Sequence, residues 1–144
     1  MIKSFLAIFQ QYAEQAPSDQ HTLELATAAL MFEVVRADNV ADEAEKNYVK
    51  AALKDRFSLS DEELSALSQD GQRHAEEAVD LVQFTRVLNN HFDLSQRAKF
   101  IQQLWELANT DERIDMHEEH AIRRISELMY VPHSMYVQAK LNAL

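Results

Sequence analysis

Apolar side chains recur along this chain at intervals of three and four residues, the spacing that places them on one side of an α-helix. The spacing predicts helices over residues 2–15, 19–37, 42–57, a short one from 61, then 78–90, 96–108, 115–130 and a last one from 134. In the segments 23–35 and 100–108 the apolar residues occupy most sides of the helix. These two helices are therefore predicted to be central and largely buried.

Polar residues and helix breakers define the predicted ends of these helices. Ser60 and Glu63 have the spacing of a capping box, in which each side chain accepts a hydrogen bond from the backbone of the other residue. Ser95 is the predicted cap of the helix over 96–108. Pro132 ends the helix predicted over 115–130. The only glycine falls within residues 68–73, which are predicted to form the internal boundary of the chain.

The composition favours a single all-α domain. One glycine and two prolines in 144 residues leave few positions for the tight turns of a β-rich fold. The length is typical of one domain with a sizeable core, and no linker or low-complexity segment divides it. We therefore expect residues 1–144 to form one bundle of about seven to eight helices.

The charge of the chain limits its partners. Fourteen basic and 24 acidic residues give a formal net charge of −10. An acidic surface repels phosphate backbones, so we expect no nucleic acid among the partners and instead a cation or a protein with a basic surface. The absence of cysteine excludes disulfides and thiolate metal sites, and it fits a cytoplasmic protein.

No apolar run approaches the roughly 18 residues of a membrane-spanning helix, so no transmembrane segment is expected. The N-terminal segment carries apolar residues at helical spacing, and they are Ile2, Phe5, Leu6, Phe9 and Tyr12. This stripe predicts a helix that packs on the core. A membrane-surface anchor is the alternative, although the segment lacks the basic face of such anchors.

An acidic pattern, D-x-x-x-D-x-x-E, occurs at residues 38–45 and again 73 positions later at 111–118. The same offset aligns further residues of like character: Phe32 with Trp105, Glu33 with Glu106, Val49 with Ile122 and Ala52 with Ile125. The alignment predicts a duplicated helical unit with halves at about 19–67 and 74–144. Such units commonly pack about a pseudo-twofold axis, which would place the two acidic turns in equivalent positions.

Helix capping explains four of the six acids in these turns. Asp42 and Asp115 stand where helices begin, and Glu45 and Glu118 follow three residues later. This is the arrangement of an N-terminal cap, and carboxylates also favour the positive end of the helix dipole.

Asp38 and Asp111 are not explained in this way, because each stands at the end of a helix. A carboxylate there is disfavoured by about 0.3–1 kcal/mol. Arg36 or Arg113 could compensate the charge, and so could a bound cation. Carboxylate and carbonyl oxygens are the ligands that Ca²⁺, Mg²⁺ or Mn²⁺ takes, although the spacing is not that of an EF-hand.

Residues 25–45 and 104–115 resemble the two copies of a motif in the tellurite-resistance TerB-like family, and the resemblance extends over roughly 20–140. It implies an all-helical bundle with internal pseudo-symmetry, a metal site at the acidic turns and no known enzymatic reaction. The chain has Asn39 and Glu112 where the family usually has glycine. Asparagine tolerates the left-handed backbone conformation better than glutamate, so the second turn is expected to differ in shape.

Together these patterns predict a non-enzymatic module that binds a divalent cation and is connected with metal or tellurite stress. The predicted ligands are Asp38, Asp42, Glu45, Asp111, Asp115 and Glu118. The alternative is a protein interaction domain in which the acids are only helix caps, and a hydrolase with a metal-activated water is a third hypothesis. His117 and His120, three residues apart, are predicted to lie on a solvated face.

Overall fold

Helices form every regular element in the parts of the chain that the computed structural model describes, which are residues 19–37, 43–78, 80–110 and 112–144. They are α1 (Asp19–Arg36), α2 (Glu43–Phe57), α3 (Asp61–Glu77), α4 (Val82–His91), α5 (Leu94–Ala108), α6 (Met116–Leu128) and α7 (His133–Ala143). The predicted all-α class is confirmed. None of these seven helices is long and apolar enough to cross a membrane. The helix predicted over 2–15 lies outside the described residues.

Helix α1 is the centre of the bundle. Every side chain from residue 22 to residue 35 is buried except those of Glu24 and Glu33, which are partly exposed. Helix α1 contacts each of the five helices from α2 to α6. Helix α5 is the second central element, with Phe100 and Trp105 fully buried, and it contacts α7 and α6 as well as α1 and α2. The prediction of two central helices is confirmed.

The only glycine allows α3 to approach α1 closely. A Cβ atom at Gly71 would lie 2.8 Å from the Cβ of Ala28 and 3.1 Å from Cδ2 of Phe32. As a break between helices, the predicted boundary at 68–73 is wrong, because α3 continues through it to Glu77 and α4 begins only at Val82. Helical glycine costs about 1 kcal/mol relative to alanine, and here the close packing of two helices offsets that cost.

One predicted helix cap is confirmed and another is wrong. Ser60 Oγ accepts from the backbone N–H of Glu63 at 3.1 Å, and Glu63 Oε1 accepts from the N–H of Ser60 at 2.9 Å. The cap of α5 is Asp93 rather than Ser95, since Asp93 Oδ1 accepts from the N–H of Gln96 at 2.8 Å. Gln96 completes the box, whereas Ser95 has no partner of that kind three residues later.

The packing of the helices parallels the sequence repeat. Helix α6 begins 73 positions after α2, which is the offset of the acidic pattern. Helix α1 packs on α2 and α3, and α5 packs correspondingly on α6 and α7. The pseudo-twofold axis and the limits of the two halves stay predictions, but the two acidic turns both precede the helix that follows a central helix.

Candidate functional site

Half of the predicted ligand set lies within the described part of the structure. Asp38, Asp42 and Asp111 fall outside it. Glu45 is the third residue of α2, and Glu118 is the third residue of α6. Asp115 directly precedes α6. The positions of these three acids carry the structural evidence on the site.

Glu45 and Glu118 are both buried. Their exposed fractions are 0% and 1%, although each stands near the start of a helix, where carboxylates usually reach water. Burying an ionised carboxylate is costly unless hydrogen bonds or positive charge compensate it. The same placement in both copies of the repeat indicates a shared role for these two carboxylates.

The capping box of α3 shows that capping alone does not require this burial. Glu63 has the same capping role as Glu118, but its side chain is exposed. Hydrogen bonds from the backbone and the hydroxyl of Ser60 lower the pKa of Glu63. An exposed glutamate therefore suffices for a capping box in this protein, so the capping role does not by itself require the burial of Glu118.

Asp115 is the N-cap of α6, as the sequence predicts. Its Oδ2 accepts from the backbone N–H of His117 at 2.7 Å, and its own N–H donates to Oε1 of Glu118 at 3.1 Å. One carboxylate oxygen of each residue thus holds the start of α6. The box also ties the buried Glu118 to the end of the second acidic turn.

Glu112 adopts the left-handed backbone conformation, with φ at 63°. Its N–H donates to the carbonyl of Asn109 at 2.9 Å, which fixes the chain just beyond α5. The conformation costs a residue with a side chain about 1–2 kcal/mol. Glu112 therefore adopts this conformation although it carries a side chain. Asn39 lies outside the described residues, so the expected difference in shape between the two turns stays a prediction.

The described residues include no group of three or more histidines or acids arranged to hold a metal ion. Asp38, Asp42 and Asp111 lie outside these residues, so the six-residue site stays a prediction. The three described members offer carboxylate oxygens, which are ligands that a hard divalent cation takes.

A cavity of about 430 Å³ lies where the end of α1, the start of α4 and the first turns of α6 meet. Its charged and titratable lining residues are Glu33, Arg36, Asp80, His117, His120 and Arg124. The histidines are exposed, as predicted, but the sequence analysis missed the cavity they line. Glu33 Oε1 accepts from Nη1 of Arg36 at 2.9 Å. Burial raises the pKa of Glu33 despite this ion pair.

Comparison with known proteins supports the resemblance found in the sequence. The model of the family described as Tellurite resistance protein TerB matches residues 24–141. Searches of curated proteins and of solved structures returned no match. The matched range includes both acidic turns and all the helices from α2 to α6.

Proposed function

Because the chain belongs to the family of tellurite resistance protein TerB, we propose that it is a non-enzymatic helical module that binds a divalent cation at its two acidic turns. The ligands in the first turn are Asp38, Asp42 and Glu45. Those in the second turn are Asp111, Asp115 and Glu118. The cation is hard, of the Ca²⁺, Mg²⁺ or Mn²⁺ class, because all six ligands offer carboxylate oxygens.

The burial of Glu45 and Glu118 is the observation that carries this proposal. Glu63 caps α3 and remains exposed, so capping alone does not require a buried glutamate. In the proposed sites a bound cation adds to the interactions that compensate the charge of these buried carboxylates. The net charge of −10 adds a field that attracts cations to the protein.

The described residues have distinct roles in this scheme. Asp115 directs one oxygen to the backbone of α6 and so fixes the end of the second turn. Glu118 is held by the N–H of Asp115 through one oxygen, and Glu45 is its counterpart in α2. The bound cation would supply positive charge between the turns and the helices.

Calorimetric titration with Ca²⁺, Mg²⁺, Mn²⁺ and Zn²⁺ tests the proposal. We expect binding of at least one of the first three ions, and loss of that binding in the double variant Asp38→Asn/Asp111→Asn. Asp93→Asn is the matched control, because it makes the same change at a helix cap outside the acidic turns. An absence of heat with every ion, or equal binding by the double variant, contradicts the proposal.

The capping box at Asp115 and Glu118 favours one alternative, a protein interaction domain whose acids serve only the helix starts. Such a domain would bind a partner with a basic surface equally well with and without a chelator. Asp115→Ala would then destabilise the fold by about 1 kcal/mol, as expected for a lost cap. That loss would be the same in the presence and absence of divalent ions.

The family description connects this protein class with tellurite resistance. We extend that connection to the present chain as a proposal, in which cation binding serves the response to metal or tellurite stress. Equal growth of a strain that lacks the protein and of its parent, on tellurite and on excess divalent metal, would contradict this extension.

A further inference from the structure

The contact between α2 and α5 has a counterpart in the repeat, the contact between α6 and α1. The two contacts differ in one pair of residues. The hydroxyl of Tyr48 in α2 donates to Oε1 of Glu106 in α5 at 2.9 Å. Burial and the neighbouring Glu106 raise the pKa of Tyr48, so its hydroxyl remains a donor. The residues 73 positions from this pair are Ala121 in α6 and Glu33 in α1. The second copy therefore has a methyl group where the first has a phenol ring.

The cavity of about 430 Å³ is lined by both Ala121 and Glu33. The cavity thus lies beside Glu33, the counterpart of Glu106, which accepts the hydrogen bond from Tyr48. The exchange of tyrosine for alanine removes a ring that would otherwise occupy space beside Glu33. The size falls in the range of pockets that hold small molecules, about 300–1,000 Å³.

The side chains around this space have also changed character between the copies. Helix α6 places His117, His120 and Arg124 in the lining of the cavity. The corresponding residues of α2 are Ala44, Asn47 and Ala51, which are all uncharged. The copy that opens the cavity is therefore also the copy that lines it with basic side chains, in a chain whose net charge is −10.

The acids of the lining already have partners. Glu33 is paired with Arg36 at 2.9 Å, and Oδ1 of Asp80 accepts from the backbone N–H of Val82 at 3.0 Å. Within the described residues, Arg124 forms no ion pair with a carboxylate, and neither histidine side chain does. The donors on α6 are thus available to a ligand.

We propose that this cavity binds a small molecule carrying a phosphate or carboxylate group, which Arg124, His117 and His120 hold through hydrogen bonds. The planar guanidinium of arginine presents two parallel donors that match either group. Glu33, opposite these donors, can accept a hydrogen bond from a hydroxyl of the same ligand. The proposal uses none of the six carboxylates proposed to bind a cation, although His117 lies between two of them, Asp115 and Glu118.

Titration with inorganic phosphate, glucose 6-phosphate and citrate tests this site, with binding followed by calorimetry. We expect at least one probe to bind, and Arg124→Ala to weaken it about tenfold or more, because a hydrogen bond to a charged group is lost. Binding of a phosphate probe alone or of citrate alone identifies the group that the cavity selects. Arg123→Ala is the matched control, since Arg123 is exposed on the same helix outside the cavity lining.

A second variant, Ala121→Tyr, restores the residue of the other copy and fills the space beside Glu33. It is expected to abolish probe binding and to leave cation binding unchanged. Failure of all three probes to bind at millimolar concentration overturns the proposal. Equal weakening by Arg123→Ala and Arg124→Ala also overturns it, because the effect would then come from the general charge of the helix. If Ala121→Tyr does not fold, the comparison of Arg124→Ala with Arg123→Ala still tests whether the cavity binds the probe.

Discussion

At the scale of single residues, His74 shows how burial sets a charge state in this protein. Its side chain is 2% exposed, on the face of α3 that also carries Gly71 and Ala75. Burial, with a smaller effect of Arg73, lowers the pKa of His74 to about 4. The folded protein therefore holds this imidazole neutral in a pH range in which the unfolded chain protonates it.

The free energy of unfolding is expected to depend on pH through His74. The part of the unfolding free energy that depends on His74 is fully present above the pKa of the unfolded chain, about 6.5. It is lost as the pH falls from there towards 4, because in that range only the unfolded state binds the proton. The loss amounts to at most about 3 kcal/mol. Urea unfolding of the wild type and of His74→Gln at pH 7 and pH 5 measures it.

The variant is the control for all other titrating groups, since they change equally in both proteins. We expect the wild type to lose more stability than His74→Gln between the two pH values. Equal losses would show that the histidine does not titrate on unfolding in this range.

Single residues also show where sequence reasoning reached its limit. The acidic pattern identified Glu45, Asp115 and Glu118, and it gave the capping roles of the latter two correctly. It did not give the burial of either glutamate, because Glu63 has the same local sequence context and is exposed. Burial depends on which helices cover a position, and spacing along one helix does not specify them.

At the scale of helices, Gly71 allows the close contact between α1 and α3. Gly71→Ala places a methyl group 2.8 Å from the Cβ of Ala28. The helices would have to move apart, so we expect a loss of about 1–3 kcal/mol in unfolding free energy, the usual cost of overpacking. Urea unfolding measures the loss.

Ser65→Ala is the matched control, because Ser65 is exposed on the same helix and alanine favours helix there. Ala28→Gly combined with Gly71→Ala removes the clashing methyl group and should recover part of the loss. Stability of Gly71→Ala equal to or above that of the wild type would contradict the close contact.

The same contact explains one error in the boundaries predicted from the sequence. A glycine in a polar segment fits either a turn or a close approach of two helices, and local sequence does not distinguish them. Apolar periodicity did predict α1, α5 and α6, because their buried stripes are long and regular. The cap of α5 was misplaced, since Asp93 and Ser95 are both good caps and only Asp93 has Gln96 three residues later.

At the scale of the whole molecule, the repeat supports two separate hypotheses. What the copies share, an acidic turn followed by a buried glutamate, supports the cation sites. The copies differ at Tyr48 and Ala121, and the cavity beside Ala121, which basic side chains line, supports the binding of an anionic small molecule. The sequence alignment shows the exchange of Tyr48 for Ala121. Only the structure shows that Tyr48 contacts Glu106, and therefore that the exchange changes the space beside Glu33.

The claim that Glu45 and Glu118 belong to cation sites is central to this account. Thermal unfolding of the wild type and of Glu45→Gln/Glu118→Gln, each with and without the divalent ion that binds in calorimetry, tests it most directly. Saturation at 100 times the dissociation constant stabilises a folded protein by about 2.7 kcal/mol, so the wild-type midpoint should rise by several degrees. The variant should lose this rise. A variant that is destabilised equally with and without the ion would contradict the account, since the glutamates would then serve only the fold.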